Sequence, residues 1–151
     1  MSLPEADPGV RASLLDWLER FAAHVRVVDF AAARPMWDED VIVFGTHQDL
    51  VQGREAAIAN QWRNVWPRTE DFRFDLARTR ILAEAEGGLA VVIAPWTSTG
   101  FAPDGTSFPR PGRATLVFRR SGDEWKVVHS HMSLHRGVPQ ESFADRPIKA
   151  A

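Results

Sequence analysis

Apolar residues recur with two different periods in the two parts of this chain, and the change between them limits the folds open to it. They stand first at Val10, Leu14, Trp17, Leu18, Phe21, Val25 and Val28. Steps of three and four draw one stripe along a helix. Beyond residue 70 the step falls to two, with Phe72, Phe74 and Leu76 alternating with charged residues. That is the period of a strand with one face buried. Helices that come first and strands that come last make an α+β chain, not a doubly wound one.

The boundaries follow from capping and turn chemistry. Asp7-Pro8 starts the first helix, because Asp accepts from free N–H groups and Pro suits the first turn. Asp29 is read as the cap of a short second helix, with a bend or early end at Pro35. Val41 to Phe44 is a strand, Gly45 to Asp49 a turn, and Leu50 to Gln52 the returning strand. A third helix runs from Arg54 to Trp66, with Ile58, Trp62, Val65 and Trp66 inward, and stops at Pro67. In the strand region the apolar phase slips to Ala77, Thr79, Ile81 and Ala83, which predicts a β-bulge over 76–78. Gly87-Gly88 turns the chain into a long strand from Leu89 to Thr99, where Pro95 is expected at an edge or bulge. A loop runs from Pro103 to Pro111. Strands then cover Arg113 to Arg120 and Trp125 to His135, completing a four-stranded antiparallel meander.

Composition narrows the function classes. The chain has 151 residues, 44% of them apolar, with six Trp and nine Phe, enough for one well-filled domain. A net charge of −2 with dispersed Arg gives no footprint for nucleic acid. No Cys is present, so thiolate ligands, disulfides and Cys nucleophiles are excluded. Met1 to Glu5 lack a signal-peptide pattern, and Leu89 to Pro95 is too short to span a bilayer. A cytoplasmic location, with no membrane partner, is the expectation by elimination. Gly-rich phosphate loops and a nucleophile elbow around Ser13, Ser98, Ser130 or Ser133 are absent, so no cofactor is expected.

Three stretches carry a family likeness: Trp37 to Thr46, where a helix end runs into a strand; Gln52 to Ile58, where Gly53-Arg54 opens a helix; and Asp123 to Ser133. In this order and spacing they resemble the SnoaL-like, ketosteroid-isomerase-like branch of the nuclear transport factor 2-like superfamily. The last stretch also looks like the end of that superfamily's kinase association domains. The resemblance implies a cone-shaped barrel, a strongly curved antiparallel sheet wrapped around three N-terminal helices. It implies one domain over 1–151, with its core at about 8–136 and a loosely held tail at 137–151. It implies a homodimer through the outer sheet face. The fold hosts isomerases, cyclases, dehydratases, epoxide hydrolases and non-catalytic assembly domains, so it does not fix an activity. Ketosteroid isomerases place an Asp base just after the matching strand and use a Tyr hydroxyl. Here the matching residues are Phe44-Gly45-Thr46, and Tyr is absent.

The remaining candidates are weighed on side-chain chemistry. His129, His131 and His135 share parity on the last strand. A metal would need a third ligand and a carboxylate partner, and Asp123 and Glu124 lie at the far end, so no metal site is assigned. The superfamily's dehydratases use His and Asp in the cavity. By that resemblance His131 is the proton-transfer base, aided by His129, with His47 and Asp49 next. The His pair reaches the pocket if it shares an inward face with Trp125 and Val127, and misses it if Val128, Ser130 and Met132 point inward. Trp17, Phe21, Phe44, Trp62, Trp66, Trp96 and Met132 are the expected pocket wall. An inward Arg73, Arg78 or Arg80 makes an anion site, as in the association domains; otherwise all three lie on a solvated face. The sequence thus predicts a small-molecule pocket for an apolar or aromatic ligand with one polar handle. It serves a cofactor-free isomerase, cyclase or dehydratase, or else a non-catalytic binding or assembly domain.

Overall fold

The structure is a computed structural model that describes residues 4–85 and 87–150. Met1 to Leu3, on which part of the signal-peptide reading rests, Glu86 and Ala151 lie outside the described residues. Helix α1 spans Pro8–Arg26, and the Asp7 carboxylate accepts from the Val10 N–H at 2.9 Å. Its buried stripe holds the expected Leu14, Trp17, Leu18, Phe21 and Val25 and adds Ala22, while Val10 is half-buried and Val28 lies past the helix end. The Asp29 carboxylate caps α2 (Phe30–Ala33) by accepting from Ala32 N–H at 3.0 Å. Pro35 falls in a 3₁₀ turn, Arg34–Met36, where its missing N–H breaks no helical bond.

Strand β1 covers Trp37–Phe44, so it starts four residues before the Val41 expected from pattern alone. Three consecutive acidic residues, Asp38 to Asp40, hide the alternation there. Strand β2 (Leu50–Gln52) returns antiparallel to it. Gly53, at φ 90°, then opens the third helical segment, a conformation that suits a residue without Cβ. That segment is not a uniform helix. It consists of α3 (Arg54–Ala57), a π-helical turn (Ile58–Trp62), α4 (Arg63–Val65) and a 3₁₀ turn (Trp66–Arg68) that contains Pro67.

The slip at 76–78 is a 3₁₀ turn, Leu76–Arg78, rather than a β-bulge. Asp75 caps it and splits the region into β3 (Glu70–Phe74) and β4 (Arg80–Ala83), both antiparallel to β5 (Leu89–Phe101). Pro95 lies mid-way along β5, a central strand, not at an edge. It sits between the β4 and β3 pairings, and its carbonyl accepts from Asp75 N–H at 2.9 Å. The imide nitrogen thus falls at the one gap in the ladder. The expected loop at 103–111 contains a short strand, β6 (Ser107–Pro109), that pairs with β5. Strands β7 (Gly112–Ser121) and β8 (Glu124–Leu134) complete the meander.

The sheet order is β2-β1-β8-β7-β5-β3, with β4 and β6 also on β5. The architecture is α+β, as expected, with helices against a large curved sheet. Two details of the expectation are corrected. β1 runs parallel to β8, so the sheet is mixed rather than wholly antiparallel, and it stays open between its β2 and β3 ends rather than closing as a barrel.

Between the helices and the sheet an aromatic cluster fills one part of the interior. Trp17 meets Phe118 edge-on at 4.7 Å, and Phe21 lies 5.1 Å from Trp17 and 5.3 Å from Trp37. Such pairs contribute about 0.5–1.5 kcal/mol each beyond their buried area. The tail is corrected as well. Residues 137–150 have no regular structure, yet they are fastened. Ser142 is buried, and the N–H groups of Phe143, Arg146 and Lys149 donate to the carbonyls of Phe101, Pro67 and Val28.

Candidate functional site

A β-bulge decides which side chains of β8 face the interior. Phe118 pairs with Val127 and Val117 with His129, so Val128 is the extra residue. Trp125 and Val127 are buried before it, Ser130 and Leu134 after it. Neither of the two orientations open to the sequence holds along the whole strand. The bulge changes the phase and turns His129 and His131 to the outer face. His129 Nδ1 lies 2.7 Å from the Ile42 carbonyl across the β1–β8 pair, and His131 is exposed. Among the described residues no group of three or more His, Cys, Asp or Glu is placed to hold a metal.

A cavity of about 50 Å³ remains where the helices and sheet diverge. Phe21, Phe44, Trp62, Trp66, Trp96 and Met132 line it, six of the seven residues expected to do so. Trp17 does not; it is spent in the cluster with Phe118 and Trp37. The interior is thus more filled than six aromatic walls and Met132, all facing open space, would leave it. Trp62 and Trp66 stack at 4.5 Å, the π-helical turn having set the first of them, and Phe72 lies 5.4 Å from Trp96. His47 stays at the rim, its Nδ1 3.5 Å from Glu141 Oε1, and Asp49 is exposed in the turn. Asp49 and His131 do share an open outer groove with Gln48 and Gln140, separate from the cavity.

The residue that sequence reasoning missed is Arg110. It is 3% exposed and lines the cavity, whereas Arg73, Arg78 and Arg80 are exposed on the solvated face. Its backbone N–H donates to Ser98 O (2.9 Å) and its carbonyl accepts from Ser98 N–H (3.1 Å). The guanidinium donates to Thr46 Oγ1 at 3.2 Å and to Ser98 Oγ at 3.5 Å, and lies 5.7 Å from the Trp96 ring centroid. Among the described residues no carboxylate bonds to it. Burial pushes it down to about 10, partly opposed by the Glu141 carboxylate, so it remains a cation at neutral pH.

Gln61 organises the rim. Its Oε1 accepts from the N–H groups of His47 (3.2 Å) and Gln48 (2.8 Å), and its amide nitrogen donates to Thr46 Oγ1 at 3.3 Å. Gly45 makes the approach possible, since a Cβ there would stand 2.2 Å from Gln61 Cδ. On the opposite wall a Cβ at Gly112 would stand 2.2 Å from the Trp96 indole.

Three buried N–H donors among the lining residues have no acceptor: Arg110 Nε, Trp37 Nε1 and Trp96 Nε1. The lining contains no Asp, Glu, His or Lys. Among the described residues the wall is therefore mainly apolar, with Thr46, Gln61, Thr69 and Ser130 as neutral polar groups, and it holds no carboxylate or imidazole to act as a general base.

An α+β fold with helices laid into a curved sheet, and a cavity between the layers, defines the nuclear transport factor 2-like class. The chain belongs to the SnoaL-like domain family, which matches residues 14–136. Its fold is similar to that of a nuclear transport factor 2-like superfamily protein from Salmonella enterica serovar Typhimurium LT2. The identity is 17%, over 89% of this chain and 96% of that one, with a TM-score of 0.73. It is likewise similar to an NTF2-like protein of unknown function from Pseudomonas putida KT2440, at 24% identity, 93% and 99% coverage and a TM-score of 0.70. The association domain of C. elegans CaMKII shares it at 14% identity, 83% and 95% coverage and a TM-score of 0.65. No curated protein matches the sequence. Among the described residues no helix is long and apolar enough to cross a membrane.

Proposed function

We propose that this protein is a self-associating binding domain for a small organic anion, an aromatic or unsaturated carboxylate or enolate. The anionic end is held by Arg110, with Trp96 and Trp37 N–H groups as further donors, and the apolar body lies among Trp62, Trp66, Phe72 and Met132. The observation that carries this reading is the set of three buried, unpartnered donors among lining residues that are mostly aromatic and aliphatic. An unpaired buried donor costs about 1–3 kcal/mol, and a ligand oxygen recovers it. The binding reading is favoured over proton-transfer catalysis because the two strand histidines face away and no acid or base lines the cavity. Similarity to an association domain supports self-association of the same fold.

The test is calorimetric titration of benzoate and of its neutral analogue benzamide into the wild type and Arg110→Met. Benzoate is expected to bind the wild type at least tenfold more tightly than benzamide, and Arg110→Met to remove that preference. Equal binding of the two probes, or a preference that survives in Arg110→Met, refutes the reading.

A further inference from the structure

We propose that the ligand spans two spaces, with its anionic end in the cavity at Arg110 and a hydrogen-bonding far end in the outer groove, and that the Met132 side chain is the gate between them. This rests on the anion-binding reading above.

The first support is size. A cavity of about 50 Å³ is a third of the roughly 150 Å³ in which an apolar site takes up benzene. That leaves room for a carboxylate group but not for the ring behind it, unless a wall gives way. Most of the wall is helix or sheet whose aromatic side chains are packed on one another, Trp62 on Trp66 and Phe72 on Trp96. Packing of that density has little spare volume to yield.

The second support is the thin part of the wall. Phe44, Gly45, Thr46 and Met132 line both the cavity and an outer groove of about 430 Å³. Three of the four are tied in place. Phe44 is the last residue of β1, paired with His131 and Leu50, and its ring lies 5.1 Å from the His131 ring. The Gly45 N–H donates to the Gln48 carbonyl at 3.1 Å. The Thr46 hydroxyl accepts from both Gln61 and Arg110. Met132 is different. Its backbone pairs with Ala114 of β7, but it stands one residue past the last β1–β8 pair, so β1 does not flank it. Its side chain is half-buried and unbranched, and a thioether gives up no strong hydrogen bond when it turns. A rotamer change at Met132 therefore opens the wall while the hydrogen bonds around it stay made.

The third support is the character of the groove. Gln48, Asp49, His131, Ser133 and Gln140 also line it. They supply amides, a hydroxyl, an imidazole and a carboxylate, and the cavity lining holds neither of the last two. A ligand that fills both spaces is an anion at one end, apolar in the middle and a hydrogen-bond donor at the other end. A hydroxyaryl acid with two linked rings has that pattern. Asp49 and His131, which lie outside the cavity, then meet the ligand at its far end.

The test uses the full chain, with benzoate as the short probe and 4′-hydroxybiphenyl-4-carboxylate as the long one. By calorimetry the long acid is expected to bind the wild type roughly tenfold more tightly than benzoate, because its second ring buries further apolar surface. Entry itself is read by stopped-flow tryptophan fluorescence, since Trp62, Trp66 and Trp96 line the cavity. Met132→Ala is expected to speed benzoate association roughly tenfold, and Met132→Ile, with a stiff β-branched side chain, to slow it by a similar factor. A long acid held no more tightly than benzoate removes the groove from the site, and equal association rates in the three proteins remove the gate; either result overturns the proposal. Rates that follow Met132 without any preference for benzoate over benzamide sink the anion reading while the gate stands. Absence of binding of both acids in wild type and Met132→Ala alike overturns both proposals.

Discussion

At the scale of single residues, Arg110 is the anomaly to be explained. The residue is 3% exposed, and among the described residues its guanidinium is bonded only to two hydroxyls and left with Nε unpartnered. Buried charges are ordinarily paired, and even a paired buried charge, replaced together with its partner by hydrophobic side chains of similar volume, is often lost at no cost or with a gain of about 1–4 kcal/mol; an unpaired one lacks the compensating attraction. Arg110→Met should therefore raise the melting temperature by several degrees in differential scanning calorimetry, at roughly 2–4 °C per kcal/mol. The same substitution is expected to remove benzoate binding. A residue whose loss stabilises the fold while ending binding is kept for binding. A lowered melting temperature would instead make Arg110 part of the scaffold. The sequence carried a signal for this residue that parity makes explicit. Gly112, Ala114, Leu116 and Phe118 all point inward, and two positions earlier on the same phase stands Arg110. Flanking Pro109 and Pro111 disguised it as loop. The aromatic lining was legible because its residues sit at helical or strand spacing on elements that were themselves recognisable.

At the scale of elements, phase slips separate what could be read from what could not. The break over 76–78 showed because charged residues mark the outer phase on both sides, although the sequence did not distinguish a bulge from a 3₁₀ turn. The bulge at Val128 left no trace, since Val127 and Val128 are both apolar and either fits inside. That one residue reversed the assignment of His129 and His131. The π-helical turn was invisible for a similar reason, because it shifts the stripe without changing residue type. Gln61, within that turn, ties this segment to the β1–β2 turn. Gly45→Ala should drive the Gln61 amide off the N–H groups of His47 and Gln48 and cost about 1–2 kcal/mol in urea unfolding. Once Gln61→Ala is in place, the added methyl should cost much less, a coupling that a double-mutant cycle reads directly. Additive losses would show that the crowding lies elsewhere.

At the scale of the whole molecule, element order is local and was readable, whereas the parallel pairing of β1 with β8 joins residues some ninety positions apart and was not. Alternation identifies a strand without naming its neighbour. That pairing puts Ile42 beside His129 on the outer face, and Ile93, from β5, lies on the same face past Thr115 and Val117 of β7. Ile42 and Ile93 are 39% and 44% exposed, while the inner face is covered by helices. A symmetric dimer formed here would set each patch against its copy, so one added charge meets its twin across the two-fold axis. Ile93→Arg should therefore convert a dimer to a monomer in sedimentation equilibrium at micromolar concentration. Benzoate binding should be unaffected, because Ile93 is not among the residues that line the cavity. A wild-type monomer, or a dimer that survives the substitution, would place any self-association on another surface. Loss of benzoate binding together with dimerisation would mean that the cavity is held in shape by the partner, since the outer face backs directly onto the strands that carry Trp96 and Met132.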